Sequence, residues 1–112
     1  MTELGFLGAG NMGSAIMRGI CSSDMQVSVS AYDKDTAKLE ALSAFGVKPC
    51  ASECELVKKC DYILLAVKPQ VLPEVMPEIV KGVTKDKTVI SIAAGKSIGW
   101  YEERLAKGVP VV

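Results

Sequence analysis

Short apolar runs alternate with amphipathic segments along the whole 112-residue chain, and that alternation predicts a parallel sheet covered by helices on both faces. Six strands are expected, near residues 3–7, 27–32, 47–50, 61–67, 88–93 and 109–112. The fourth, Tyr62-Ile63-Leu64-Leu65-Ala66-Val67, is apolar without interruption, as a central strand buried on both sides should be. Helix signals fill the gaps. Met12, Ala15, Ile16, Gly19 and Ile20 recur at helical spacing and predict the packed face of a first helix. Asp35 is placed to cap a second helix with apolar positions Leu39, Leu42 and Phe45, and Gly46 is placed to end it. Ser52 followed by Glu55 has the form of a capping box ahead of Leu56, Val57 and Cys60.

The next helix is harder to bound. Val71, Leu72, Val75, Met76, Ile79 and Val80 have helical spacing, but Pro69, Pro73 and Pro77 crowd the same stretch. Pro73 suits a first turn, whereas Pro77 either removes an internal bond or delays the start, so this boundary stays open. Ser97 is placed to cap a last helix, with Ile98, Tyr101 and Leu105 inward and Gly108 closing it. No repeat, low-complexity tract or internal linker interrupts the pattern. The expected fold class is α/β: one domain built on a doubly wound parallel sheet of about six strands.

Composition narrows the function classes. A chain of this length buries roughly two-thirds of its unfolded surface, enough for one core and too little for a second lobe. Lys plus Arg and Asp plus Glu are 13 each, so no net field draws it to nucleic acid or to an anionic membrane. With no apolar run of about eighteen residues and no basic-then-apolar leader at Met1, a soluble cytoplasmic protein is expected. Cys21, Cys50, Cys54 and Cys60 form no C-x-x-C pair and histidine is absent, so zinc and redox-motif spacings are unmet and no metal is expected. Free, buried or half-buried thiols in a reducing compartment are the expectation.

The chemistry begins at Gly8-Ala9-Gly10-Asn11-Met12-Gly13, which follows the first apolar run and opens the first helical pattern. Gly8 permits a tight turn out of the strand, Gly10 lets a pyrophosphate approach the backbone, and Gly13 lets the helix pack closely on the sheet. Phosphates would then sit at the helix N-terminus, where unpaired N–H groups and the helix dipole both favour an anion. Taken alone, the spacing fits equally a glycine-rich turn without a ligand. Asp33 adds a second signal. It lies twenty residues beyond Gly13, just after the strand 27–32, where an acid can accept hydrogen bonds from an adenosine ribose. Its bland alternative is a turn acid beside Asp35.

Ligands of open α/β sheets bind at the carboxyl ends of the strands, near the point where strand order reverses. Two further loops there stand out: Val67-Lys68-Pro69-Gln70 after the fourth strand, and Ala93-Ala94-Gly95-Lys96 after the fifth. Lys68 is either a solvated lysine or a cation beside a phosphate or nicotinamide, and Gly95 either starts a helix or touches a cofactor.

Together these motifs resemble the N-terminal, cofactor-binding domain of the pyrroline-5-carboxylate reductase family, over essentially the whole chain. The likeness rests on Gly5 to Ile16 (GFLGAGNMGSAI), Leu65 to Gln70 (LAVKPQ) and Ser91 to Ile98 (SIAAGKSI), in this order and spacing. The resemblance implies a Rossmann fold and an oxidoreductase of proline biosynthesis. It would transfer a hydride from NADP or NAD to the cyclic imine carbon of a small imino acid. It further implies that, within the cofactor-binding run Gly8 to Gly13, Ala9, Gly10, Asn11 and Met12 hold the pyrophosphate, that Ala66, Val67, Lys68 and Pro69 line the cofactor's path, and that Ala93, Ala94 and Gly95 border the nicotinamide. The family continues into an all-helical domain that forms the dimer and most of the substrate site, so this chain reads as the cofactor domain alone. A homo-oligomer is expected only with that further domain, and little or no turnover without it. No catalytic residue is assigned.

Two positions depart from the family pattern. Asp33 would repel a 2′-phosphate and accept from a free ribose 2′-hydroxyl, which argues for NAD, while Lys34 partly offsets that repulsion. Glu53 stands where relatives often carry a polar amide near the adenosine, so that contact is not carried over. Two other readings stay open: the cofactor domain of another NAD(P)-dependent imine or hydroxyacid oxidoreductase, and a non-catalytic nucleotide-binding module.

Overall fold

The computed structural model of the chain describes residues 2–92, 98–105 and 108–112. Five parallel strands form one sheet: β1 (Thr2–Leu7), β2 (Val27–Tyr32), β3 (Lys48–Pro49), β4 (Tyr62–Leu65) and β5 (Thr88–Ser91), in the order β3-β2-β1-β4-β5. Helices α1 (Asn11–Cys21) and α2 (Thr36–Ser43) connect β1 to β2 to β3, and α3 (Glu53–Lys59) carries the chain back across the sheet. A 3-10 turn, Pro69–Val71, leads into α4 (Leu72–Gly82), and α5 (Ile98–Arg104) follows β5. The strand order therefore reverses between β1 and β4, and the doubly wound expectation holds.

Register sorts the side chains onto two faces. Phe6, Val29 and Ala31 share one buried cluster with Met17, Leu39 and Leu42, which places α1 and α2 on that face. Leu7, Ile63, Leu65 and Val89 share the other with Leu56, Val57, Leu72, Ile79 and Tyr101, from α3, α4 and α5. Alternation along a strand produces this division, because successive side chains point to opposite faces.

The expected sixth strand is a correction. Residues 109–112 form a single parallel bridge, Val111 to Val89, flanked by bonds from Val89 N–H to Pro110 O and from Val112 N–H to Val89 O. A four-residue run containing Pro110, which has no N–H to donate, sustains a bridge rather than a ladder. Likewise β3 shrinks to two residues at the sheet edge, where Pro49 is tolerated. In α1 the packed face turns out to be Gly13 and Met17, with Ile16, Ile20 and Cys21 partly covered. Met12 is 62% exposed, and Ala15 and Gly19 face solvent too. Phe45 (46%) and Val80 (41%) are also exposed, at the rims of α2 and α4.

Caps follow the sequence closely. The Asp35 carboxylate accepts from Ala37 N–H at 3.1 Å, and Ser52 Oγ accepts from Glu55 N–H at 3.1 Å while Glu55 Oε2 accepts from Ala51 N–H at 3.2 Å. Gly46 ends the α2 region at φ +96°. Pro73 lies in the first turn of α4 and Pro77 inside it, so the helix starts before both. Ser97 and the Ile98 side chain lie outside the described residues. Among the described residues no helix is long and apolar enough to cross a membrane.

All four cysteines are free thiols. Burial pushes the Cys60 thiol up to about 11, with Cys50 and Glu3 adding to the rise, and burial likewise raises Cys50. Because the thiolate is the nucleophile, a raised value leaves both thiols protonated and unreactive at neutral pH. Cys21 and Cys54 are only partly covered. A thiol titration with Ellman's reagent should therefore count at most two reactive cysteines in the folded chain, Cys21 and Cys54, and all four after denaturation. Four fast-reacting thiols in the folded chain would contradict this packing.

Candidate functional site

The carboxyl end of β1 is where three segments meet. Gly8 takes φ +104°, a conformation that L side chains rarely adopt. A Cβ there would stand 2.8 Å from the carbonyl carbon and oxygen of Ala66, just beyond β4. The turn is thus pressed against the β4 loop and admits no side chain. Gly8 N–H donates to Tyr32 O at 2.9 Å, and Ala66 N–H donates to Leu7 O at 2.8 Å, so backbone bonds tie the loop to the end of β2 and the end of β1 to the chain after β4.

Gly10 caps α1 with extended backbone and no side-chain bond. Nothing lies within 4 Å of where its Cβ would be. Ser14 N–H closes the first helical bond to Gly10 O, and among the described residues the N–H groups of Asn11, Met12 and Gly13 meet no acceptor. This is a helix terminus with free donors beside open space. Gly13 serves another purpose. Its missing side chain lets α1 settle on the loop, since a Cβ would fall 2.9 Å from Gly8 O and 3.1 Å from Ala66 Cβ.

Asp33 is fixed from two sides. Its Oδ2 accepts from Ala9 N–H at 2.7 Å and its Oδ1 from Asp35 N–H at 2.8 Å. The first bond reaches back from the end of β2 into the glycine loop. A cavity of about 270 Å³ opens beside this group, lined by Gly8 and Gly10, by Asp33, Lys34 and Lys38, by Glu53, and by Ala66, Val67 and Lys68 with Val71, Glu74 and Val75. Its Tyr32 phenol is raised above its ordinary value, first by burial and then by the carboxylates of Glu53 and Asp33. Across the cavity the Lys34 ammonium stands 3.8 Å from the Glu74 carboxylate. Both are highly exposed, so that pair holds little energy.

The residues expected from sequence are only partly gathered here. Gly8, Gly10, Asp33, Lys34, Ala66, Val67 and Lys68 line the cavity. Ala9 contributes its N–H and buries its methyl, while Asn11 and Met12 lie at the exposed start of α1. Gly13 packs inward, and Pro69 starts the 3-10 turn. Ala93, Ala94 and Gly95 lie outside the described residues. Sequence reasoning placed Glu53 near the adenosine but carried no contact over to it, and it missed Lys38, Val71, Glu74 and Val75. Lys38 lies in the first turn of α2, and Glu74 and Val75 in the first turn of α4 just after Val71, so each reaches the cavity from the start of a helix that follows a strand's carboxyl end.

A second cavity of about 290 Å³ lies near the amino end of β2, lined by Ile20, Met25, Val27, Phe45 and Lys48 among others. It is far from the strand ends that a doubly wound sheet uses, and it brings together no reactive group beyond Cys21. Among the described residues no cluster of three or more His, Cys, Asp or Glu could hold a metal ion.

A glycine turn feeding a helix at the reversal point of a doubly wound sheet defines the class: a dinucleotide-binding α/β domain. Residues 3–95 match the family described as NADP oxidoreductase, coenzyme F420-dependent, and the chain belongs to that family. The pyrroline-5-carboxylate reductase of Methanosarcina acetivorans is 37% identical over 113 residues, covering 98% of this chain and 42% of that protein. The enzyme of the same name from Escherichia coli is 36% identical over 99 residues, 86% of this chain and 37% of its own length. Among solved structures, a Plasmodium falciparum pyrroline carboxylate reductase with NADP bound superposes at TM-score 0.79 with 30% identity, over 98% of this chain and 40% of that one. A Coxiella burnetii pyrroline-5-carboxylate reductase superposes at 0.87 with 25% identity, over 98% and 42%. The chain thus spans about two fifths of the length of these relatives.

The glycines separate folding from binding. Gly8→Ala should lower stability by about 1–3 kcal/mol from backbone strain alone, before the clash with Ala66 is added. Gly10→Ala meets no protein atom and should cost at most about 1 kcal/mol as a poorer cap, yet weaken dinucleotide binding tenfold or more, on the order expected when a side chain fills a phosphate cradle. Thermal unfolding beside calorimetric titration checks the contrast; a Gly10→Ala chain that binds as tightly as the parent contradicts it.

Proposed function

We propose that this chain is the dinucleotide-binding part of a pyrroline-5-carboxylate reductase, an oxidoreductase acting on a CH–NH bond in proline biosynthesis, with NADP or NAD as cofactor. The observation that carries the reading is the cradle at Gly10: open space where a side chain would stand, directly before three first-turn N–H groups with no acceptor among the described residues. The named relatives, at 36–37% identity, narrow the reaction from dinucleotide chemistry in general to an imine.

When bound, the reduced nicotinamide supplies a hydride to the imine carbon and is itself oxidised. This chain's residues position. The N–H groups of Asn11 and Met12 would hold the pyrophosphate, since the positive end of α1 favours an anion. Asp33 would receive the adenosine ribose, and the wall from Ala66 to Lys68 would hold the cofactor against the sheet. At about 270 Å³ the cavity suits one half of a dinucleotide, being at the lower bound of roughly 300 Å³ for a small-ligand site. On this reading the adenosine half fills it. Holding a hydride donor close to an already electrophilic carbon supplies much of the rate. On the same reading dimerisation and most of the imino-acid site would fall to a further helical domain, and a cytoplasmic location belongs to the proposal.

The native gene product that contains this chain should oxidise NADH or NADPH when given pyrroline-5-carboxylate and yield proline, whereas the 112-residue chain alone should bind the dinucleotide with little or no turnover. Reduction of another cyclic imine with none of this one would overturn the substrate assignment. A chain that binds no dinucleotide would overturn the site.

A further inference from the structure

The strand β5 lies at the outer edge of the sheet, with β4 along one side and only the Val111 bridge with its flanking bonds along the other. Strand ends at such an edge open readily, because few backbone bonds hold them. Yet the carboxyl end of β5 belongs to the ligand edge. A dinucleotide laid across the reversal point has one nucleotide over β1 and β2, where the cavity at Asp33 lies, and the other over β4 and β5. The second half is therefore held only as firmly as the end of β5 is held.

A side chain from α5 supplies that hold. Ser91 is the last residue of β5, half-buried, on the same face as Val89 two positions before it. Its hydroxyl and the Tyr101 phenol share a hydrogen bond of 2.7 Å. Tyr101 is 1% exposed and sits in the apolar cluster with Leu65, Leu72 and Val89. The ring serves the core, and a phenylalanine ring would serve it as well; the hydroxyl serves the strand end. Trp100 meets the Tyr101 ring edge-on, with centroids 5.0 Å apart at 84°, and the Arg104 guanidinium lies 4.1 Å from the centre of the Trp100 ring. These neighbours limit the freedom of the tyrosine within its own helix.

The same strand end is tied sideways toward the glycine turn. Ile92 N–H donates to Leu65 O at 3.2 Å, and Ala66, the next residue, donates to Leu7 O and stands against Gly8. We propose that Tyr101 is a positioning residue for the cofactor: through Ser91 it fixes the carboxyl end of β5, and so sets how tightly the nicotinamide half of the dinucleotide is held. The inference rests on the dinucleotide reading given above. Tyr101 is buried and touches no ligand itself; the adenosine half, on the far side of β1, is indifferent to it.

The test compares two ligands by calorimetric titration of the chain. One is the reduced dinucleotide that the parent binds tighter, NADH or NADPH; the other is the same molecule without its nicotinamide ring, adenosine diphosphate ribose or its 2′-phosphate. Tyr101→Phe keeps the ring and removes the hydroxyl, and Ser91→Ala removes the other partner. Each should weaken binding of the dinucleotide about threefold or more, the worth of one hydrogen bond, and leave the ligand without the ring bound as before. The double variant should lose no more than either single one, since the same bond is gone in all three. Thermal unfolding of each variant separates this from a loss of folded chain, which weakens both ligands together. Should Ser91→Ala fail to fold, Tyr101→Phe alone is held to the same criterion. An equal loss for both ligands, no loss for either, or a parent chain that binds the dinucleotide no tighter than the ligand without the ring overturns the positioning role and leaves the dinucleotide site standing. Binding of neither ligand to the folded parent chain overturns the site reading itself, and the positioning role with it.

Discussion

The close approach of the Gly8 turn to the backbone after β4 is the constraint on which the rest of the structure depends. At φ +104°, with no room for a Cβ against Ala66, the chain leaves β1 and turns straight into α1. That turn sets where α1 starts, and Gly13 lets the helix sit down on it. Strand order reverses between β1 and β4, so the same turn also borders the crevice that the reversal opens. One backbone geometry thus fixes the helix terminus, the crevice wall and the position at which Asp33 reaches back to Ala9.

Stability and binding draw on different parts of this arrangement. The two buried clusters, one on each face of the sheet, hold the strands in register and are apolar almost throughout. The binding edge is built from backbone instead: free N–H groups, carbonyl ties and small residues, with a ring of charged side chains outside them. Such an edge is preorganised because its groups are held by the fold rather than by their own side-chain rotamers, which is what positioning a dinucleotide requires.

Much of this was legible in the chain, and what was not has physical causes. The strands β1, β2 and β4 and the caps Asp35 and Ser52 could be read because their signals are local: alternation, an unbroken apolar run, a side-chain oxygen ahead of a helix. The sixth strand could not be judged from Val109-Pro110-Val111-Val112, since pairing depends on what lies beside it, and the run makes a single bridge, Val111 to Val89, with backbone bonds at Pro110 and Val112 on either side. The α1 face was misplaced because Met12, Ala15 and Gly19 fit the spacing of a helix whose buried stripe in fact runs through Gly13 and Met17, with Gly13 held against Gly8 O and Met17 in the apolar cluster. In the site, glycine spacing and Asp33 were visible and Glu53 was placed near the adenosine, whereas Glu74 comes from a helix far along the chain and reaches the cavity only through the crossover. The two bonds that fix Asp33 belong to tertiary structure and leave no trace in spacing.

The central claim is that a dinucleotide lies at the reversal point of the sheet, against the glycine turn. The most direct measurement is a nitrogen–proton correlation spectrum of the chain titrated with adenosine diphosphate ribose. The amide signals of Gly8, Ala9, Gly10, Asn11, Met12, Asp33 and Lys68 should move together and saturate at one affinity, while those of Ile20, Met25 and Phe45 around the opposite cavity stay in place. Shifts confined to that opposite cavity, or no shifts from a folded chain, would contradict it.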